Sequence, residues 1–302
     1  MKTKLIIEPH IHGAFGVDFN SASLNDILTI CKKFFLCGIG GIFPTLVTDS
    51  IENIKHQIDV IKNAAAQQKN NTAKILGIHL EGIFLNPEKK GIHNSKYFLP
   101  LTSENYKKIE DDFIKIITLA PELDNGLIGY LLSKDIKIQA GHCIGADLSG
   151  CSGVTHLFNA MKGITHREQS TALSALINDN LYVEIIADGI HLSDEILKLA
   201  LKTKPIDKII LISDALPIAH SNLTELYFAG EKIFRGGMKA VSKTGTLAGS
   251  VMLISDIIKR LGCMGIFNEY FINNPYNYYN ISNVDGEILW DENYNITGVR
   301  SF

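Results

Sequence analysis

The 302 residues carry 29 Lys and Arg against 32 Asp and Glu, a formal net charge of -3, and 46% of them are hydrophobic. That suffices for one large core, and a single barrel domain commonly runs to this size. There is no basic face for a nucleic acid, no basic membrane-seeking helix, and no apolar run near the ~18 residues of a membrane span, so nucleic-acid and membrane partners are not expected. Five cysteines, an odd number without a C-x-x-C, suit a reduced, cytoplasmic chain. The opening MKTKLIIEPHIHG turns polar too soon for a signal-peptide core.

Short apolar runs recur at 5–11, 39–48, 73–81, 113–121, 135–142, 153–160, 181–188 and 207–214. Each is rich in Ile, Leu or Val and short for a helix, which favours buried strands. Helix-like stretches lie between most of them. Residues 23–36 put Leu24, Ile27, Leu28, Cys31 and Phe35 on one face behind a Ser23 N-cap. Residues 50–66 repeat the pattern with Ile51, Ile54, Ile58 and Ile61, and 193–203 begins at the candidate cap Ser193. Eight strands alternating with helices predict a parallel α/β sheet, and eight closes a (β/α)8 TIM barrel. Periodicity does not separate a barrel from an open doubly wound sheet, but no Gly-rich dinucleotide fingerprint favours the latter. The long loop 82–112 exceeds a minimal turn, and such loops are usually functional. The glycine-rich excursion 215–249 suits a hairpin or lid, and DGEILWDENYNITGVRSF at the end reads as a β-hairpin outside the barrel.

Metal-capable side chains occur where the apolar runs end. His10 and His12 end the first, Glu81 the third and His142 the fifth; His156 lies in the sixth, Asp188 and His191 follow the seventh, and Asp214 ends the eighth. In a barrel those ends share one face. His10 and His12, two apart on a strand, point the same way and can share a metal, although H-x-H alone is weak. Glu81 in GIHLEGIFLNP would be costly to bury unpaired. With His142 and His156 it makes a carboxylate–imidazole set that leaves room for water, as at a catalytic zinc. His79 faces the same way as Glu81 but reads equally well as a packed histidine. Asp214 in IILISDAL is either a helix cap or the general base to a metal's water. Arg167 in ITHREQ is either a solvated charge or a phosphate partner.

The stretches EPHIHGAFGVDFN, GIHLEGIFLNPEKKGIHN, TLAPE, THLFNAMKGITHRE, EIIADGIHLS, LISDA and GTLAGS, in this order over most of residues 8–250, resemble the N-acetylglucosamine-6-phosphate deacetylase family of the amidohydrolase superfamily. The resemblance implies a cytoplasmic homodimer that removes acetate from N-acetylglucosamine 6-phosphate. It implies one or two divalent ions per subunit, zinc first, with iron, cobalt or nickel as alternatives. Glu81, His142 and His156 match the main ligands, and His10 and His12 match the pair that can hold a second ion. Asp214 matches the catalytic acid/base and His191 the histidine that contacts the substrate amide. Asn159, Ala160, Arg167, Ile92 and His93 match sugar-phosphate contacts, and Leu247, Ala248 and Gly249 a segment lining the sugar pocket. A dimer partner contributes to the phosphate site.

The sequence also departs from the family's pattern. Only nine residues precede His10, which implies a reduced β-sandwich, so the expected organisation is a catalytic barrel over 1–270 and a small β appendage over 271–302. His142 and His156 are 14 positions apart, so the helix between them is expected to shrink to a turn or two. Cys143-Ile144 and Pro217 stand where the family has other residues. Two rival functions follow: deacetylation of a related N-acyl amino sugar, or a catalytically impaired sugar-phosphate binder. The complete set Glu81, His142, His156, His191 and Asp214 argues against the binder.

Overall fold

A computed structural model describes residues 1–302. Its centre is a parallel sheet of β1 (Ile6–Ile11), β2 (Ile39–Val47), β3 (Ile78–Glu81), β4 (Ile114–Leu119), β5 (Lys137–Ala140), β6 (Gly153–Val154), β7 (Tyr182–Ile185) and β8 (Ile209–Leu211), hydrogen-bonded in that order. Every apolar run read from the sequence supplies one of these strands, and the run 73–81 adds a short strand, Lys74–Ile75, that pairs with β2. The seam between β8 and β1 is joined just past the end of β8, where Asp214 N donates to His10 O at 3.0 Å and His12 N to Ala215 O at 3.0 Å. Glu8 also spans it, accepting from His10 N (3.1 Å) and Ser213 N (3.0 Å). Burial pushes the Glu8 carboxyl up to about 8.

Helices α1 (Leu24–Leu36), α2 (Ile51–Gln67), α3 (Ser103–Lys107), α4 (Leu127–Leu131), α5 (Thr171–Ile177), α6 (Asp194–Thr203), α7 (Ile254–Cys263) and α8 (Tyr270–Tyr278) complete the α/β fold. Ser23, Ser50 and Ser193 each cap a helix by accepting a backbone N–H from its first turn, and Ser23 with Asp26 closes a capping box. The buried stripe of α1 is Ile27, Ile30, Cys31, Phe34 and Phe35, turned slightly from the face read in the sequence. Between β5 and β6, residues 141–152 form no helix at all, where one of a turn or two was expected. With His142 taken into the site and Gly141, Gly145 and Gly150 interrupting the stretch, too few residues remain to repay helix nucleation.

The expected boundary at 270 falls at the start of a helix, so 271–302 is not β throughout. α8 packs on the barrel, with Asn274 Nδ2 donating to Ile209 O (2.7 Å) and the Tyr276 hydroxyl to Leu5 O (2.8 Å). The appendage proper is an antiparallel sheet of β13 (Gly286–Trp290), β14 (Ile296–Ser301) and the first strand of the chain, Lys2–Lys4. Trp290 Nε1 ties the two termini together by donating to Thr3 Oγ1 at 2.9 Å.

The excursion after β8 folds into a four-stranded antiparallel sheet, β9 (Glu225–Phe228), β10 (Glu231–Gly236), β11 (Lys239–Ser242) and β12 (Leu247–Gly249). It has its own small apolar cluster, including Phe228, Ile233 and Ala240, which also takes in Val47 and Ile92. The sheet therefore roofs the C-terminal mouth of the barrel.

A barrel lumen is ordinarily packed with branched apolar side chains. Here Glu8, His10, His79, Thr118, Gln139, Thr155 and Glu184 are all buried inside it. His10 meets Glu184 from β1 to β7, and Gln139 meets Glu184 from β5 to β7, contacts between non-adjacent strands that only the lumen permits. His79 Nε2 bonds Thr118 Oγ1 at 2.7 Å, and Thr118 bonds Thr155 at 2.7 Å. His79 is thus a hydrogen-bonded interior histidine below the mouth.

Candidate active site

At the C-terminal ends of the strands, four imidazoles converge on the two oxygens of one buried carboxylate. Glu81 Oε1 lies 3.2 Å from His142 Nε2 and 2.9 Å from His156 Nε2. Glu81 Oε2 lies 3.2 Å from His10 Nε2 and 3.1 Å from His12 Nε2. Asp214 Oδ1 closes the second group at 3.4 Å from His10 Nε2 and 3.2 Å from His12 Nε2. Glu81 thus stands between a group formed with His142 and His156 and a group formed with His10, His12 and Asp214.

The outer nitrogens explain why the Nε2 atoms point inward. His142 Nδ1 donates to Lys89 O at 2.7 Å, and His12 Nδ1 faces Thr45 O at 3.3 Å. His10 Nδ1 faces Glu184 Oε2 at 3.1 Å. A ring that donates through Nδ1 carries its lone pair on Nε2, the form that ligates metals. His142 Nε2 and His156 Nε2 are 3.2 Å apart, both against Glu81 Oε1. Nitrogen lone pairs and a carboxylate around one point repel unless a cation or proton lies among them. The mixed N/O donor set suits a divalent ion of the zinc type. His156 Nδ1 is buried without a partner.

The charges answer the same demand for positive charge. Burial works against ionising Glu81, but His10, His12 and His142 outweigh it and hold the carboxyl well below the usual range. Burial likewise opposes charge on His12, yet Asp214 and Glu81 push it up to about 9. Asp214 is held down, chiefly by His10 and His12 acting against its burial.

Backbone strain gathers here too. Ile83, His142, His156, Phe158, Ala160 and Asp214 all have positive φ, between 31° and 77°. Such conformations cost of order 1–3 kcal/mol each and persist where the surroundings impose them. Gly82 (φ 156°) follows Glu81 because a Cβ there would stand 2.5 Å from Thr48 N. Gly249 (φ 149°) lets β12 approach the Asp214 carbonyl, which a Cβ would meet at 2.7 Å. An electrostatic requirement, visible as carboxylates in apolar runs, is thus met by backbone that L side chains rarely adopt.

A cleft of about 320 Å³ opens onto these groups. It is lined by His12, Glu81, His142, His156, His191 and Asp214, and also by Ile92, His93, Asn159, Ala160, Leu247, Ala248 and Gly249. His10 lies beneath it, fully buried. His93 is held by Thr48 Oγ1 at 2.8 Å and reaches Glu81 Oε2 only at 3.9 Å. Arg167 is not brought to this cleft: it lies in the exposed segment 163–169. Two larger cavities, about 700 and 910 Å³, hold none of the metal-capable groups.

His191 is oriented by Asp188, whose Oδ2 accepts from His191 Nδ1 at 2.8 Å and from Ser250 Oγ at 2.9 Å. Burial disfavours the imidazolium, but Asp188 outweighs it and raises His191 above the ordinary histidine range.

Sequence reasoning counted Asp188 among the metal-capable strand-end groups but not as the partner of His191, and it assigned no role to Glu184 or to the cleft-lining Glu88, Lys89 and Phe228. Glu184 was detectable: a carboxylate inside LYVEII is as costly to bury unpaired as Glu81. The roof residue Phe228, whose ring lies 5.2 Å from that of His12, left no such signal.

Comparison with known proteins places this geometry. The chain is 32% identical over 265 residues to the N-acetylglucosamine-6-phosphate deacetylase of Bacillus subtilis, covering 83% of this chain and 67% of that one. It is 33% identical over 273 residues to the enzyme of that name from Danio rerio (81% and 66%). It is 30% identical over 264 residues to the N-acetylgalactosamine-6-phosphate deacetylase of a Shewanella species (84% and 66%). The chain thus spans about two thirds of the length of these relatives. Among solved structures, N-acetylglucosamine-6-phosphate deacetylase from Pasteurella multocida superposes with a TM-score of 0.90 at 25% identity, covering 99% of this chain and 85% of that one. The Thermotoga maritima enzyme gives 0.89 at 26%, covering 99% and 87%. No family model matches.

Proposed function

Because the chain belongs to the N-acetylglucosamine-6-phosphate deacetylase family, we propose that it hydrolyses N-acetylglucosamine 6-phosphate to glucosamine 6-phosphate and acetate. The observation that carries this is the convergence of four imidazoles on the two oxygens of Glu81, with Asp214 beside them.

In this reading Glu81, His142 and His156 hold the main divalent ion, and His10, His12 and Asp214 with the other Glu81 oxygen offer a second position. Zinc fits the N/O set first, with iron, cobalt or nickel as alternatives. When bound, such an ion acidifies water and polarises a carbonyl. Asp214, held ionised, accepts the proton of the attacking water and delivers it to the leaving amine. His191, whose imidazolium form Asp188 favours against burial, donates from Nε2 to the oxygen on which charge develops. Asn159, Ala160, Ile92, His93 and the Leu247–Ala248–Gly249 strand line the space for the sugar. Phe228 and the β9–β12 sheet keep bulk water from it.

In this reading Arg167, exposed and outside its own cleft, serves the phosphate site of a second copy in a homodimer. Five unpaired cysteines fit a cytoplasmic setting, and no helix is long and apolar enough to cross a membrane. The Shewanella relative motivates a second substrate, the galactosamine epimer.

Acetate release from both 6-phosphosugars tests the reading, with Asp214→Asn alongside. The glucosamine epimer is expected to be preferred, and the variant to keep its fold while kcat falls about 10²–10⁴-fold. Preference for the galactosamine epimer would favour the second substrate, and near-normal turnover by Asp214→Asn would remove that residue from proton transfer.

A further inference from the structure

One buried carboxylate in the lumen is left unused by the chemistry above. Glu184, on β7, is 1% exposed. Its Oε2 meets His10 Nδ1 at 3.1 Å, and its Oε1 accepts from Gln139 Nε2 at 2.9 Å. Gln139 Nε2 is in turn 3.2 Å from the Tyr279 hydroxyl, just past α8. On the far side of the ring, His10 Nε2 faces Glu81 Oε2 and Asp214 Oδ1.

We propose that Glu184 is the positioning residue of the second metal position, fixing the His10 ring so that Nε2 can ligate there. The proposal rests on the reading of His10 and His12 as a ligand pair. A carboxylate only accepts, so Glu184 holds a ring proton on Nδ1; with a cation between Nε2 and the Glu81 and Asp214 carboxylates, that is the one ring proton and the Nε2 lone pair faces the ion. His10 is fully buried, so solvent does not take over this role. His12 draws the same tautomer from a backbone carbonyl, whereas His10 depends on one side chain. Partners of this kind both orient a ligand and increase its basicity.

Gln139 makes the dependence testable. Its amide N–H requires an acceptor, so in Glu184→Gln the new carbonyl oxygen stays on the Gln139 side. The new NH2 then occupies the place of Oε2 and donates to His10 Nδ1. The ring proton moves to Nε2, facing the metal position, while volume and burial are conserved.

Stepwise zinc and cobalt titrations against a competing chelator read the two positions separately. Wild type is expected to bind two ions per chain. Glu184→Gln is expected to weaken one step by about 10–100-fold and leave the other unchanged. His10→Asn should weaken the same step, and the double variant should fall no further than His10→Asn alone. An unchanged titration in Glu184→Gln, or equal weakening of both steps, overturns the role of Glu184 and leaves the ligand pair standing. A wild type that binds a single ion overturns both. Should Glu184→Gln fail to fold, ¹⁵N spectra of the zinc-loaded wild type decide: Nδ1 protonation of His10 supports the proposal and an unprotonated Nδ1 refutes it.

Discussion

Asp188→Asn isolates the contribution of His191. The native carboxylate accepts four hydrogen bonds: Ile190 N (2.8 Å) and His191 N (2.9 Å) on Oδ1, His191 Nδ1 (2.8 Å) and Ser250 Oγ (2.9 Å) on Oδ2. Arg260 braces the same turn by donating to Ala187 O at 3.2 Å, so the backbone should hold in the variant. The two backbone N–H groups keep the asparagine oxygen on their side, and its NH2 is left facing His191 Nδ1. A donor opposite that nitrogen disfavours the imidazolium that Asp188 sustains. Burial, then opposed only by the more distant charge of Asp214, brings His191 below its native value. Losing one preorganised oxyanion donor costs about 10²–10³ in kcat, or ~2.7–4 kcal/mol. The sign of the pH effect follows. His191 is raised in the folded protein, so its donor form is present at low pH and lost as pH rises through its folded pKa. In the variant that loss comes earlier, and the alkaline limb of kcat/KM moves to lower pH. Acetate release measured across pH, with metal content and Tm as controls, tests this. An unmoved alkaline limb, or a kcat loss under about 10-fold with metal intact, would refute the assigned role of His191.

Arg167→Ala should raise KM and lower kcat for the 6-phosphosugar, because remote binding energy orients the reacting end, while leaving slow hydrolysis of the unphosphorylated sugar nearly unchanged. Equal effects on both sugars, with the oligomer intact, would tell against a phosphate contact. Stripping the metal should abolish activity and expose a pH-dependent stability that the loaded protein lacks. In the stripped protein His12 is raised from 6.5 to about 9, so its ion pairs with Asp214 and Glu81 stabilise the fold fully below 6.5 and are lost as pH climbs to about 9. Thermal melts across that window should fall for stripped protein alone, and parallel curves would contradict the pairing.

The site resides in the polar ends of apolar strands, which is why so much of it is legible in one dimension. A strand has a two-residue period and a parallel barrel gathers its C-terminal ends, so His10, His12, Glu81, His142, His156 and Asp214 can be assigned to one mouth by counting. Helix starts at Ser23, Ser50 and Ser193 are equally local, since a cap needs only its own first turn. Other features have no local signature. Glu184 meets His10 across 174 positions and Asp188 meets Ser250 across 62, pairings that exist only once the barrel closes. The missing helix between β5 and β6 reflects where the chain must travel to deliver His142. The Lys2–Lys4 strand joins β13 from the opposite end of the sequence. Which elements form, and which side chains share their mouth, follows from periodicity and from the cost of burying charge, both properties of neighbouring residues. Which nitrogen each histidine turns inward, and the position of Arg167 outside the cleft, depend on groups distant in sequence, and only tertiary structure brings those together or holds them apart.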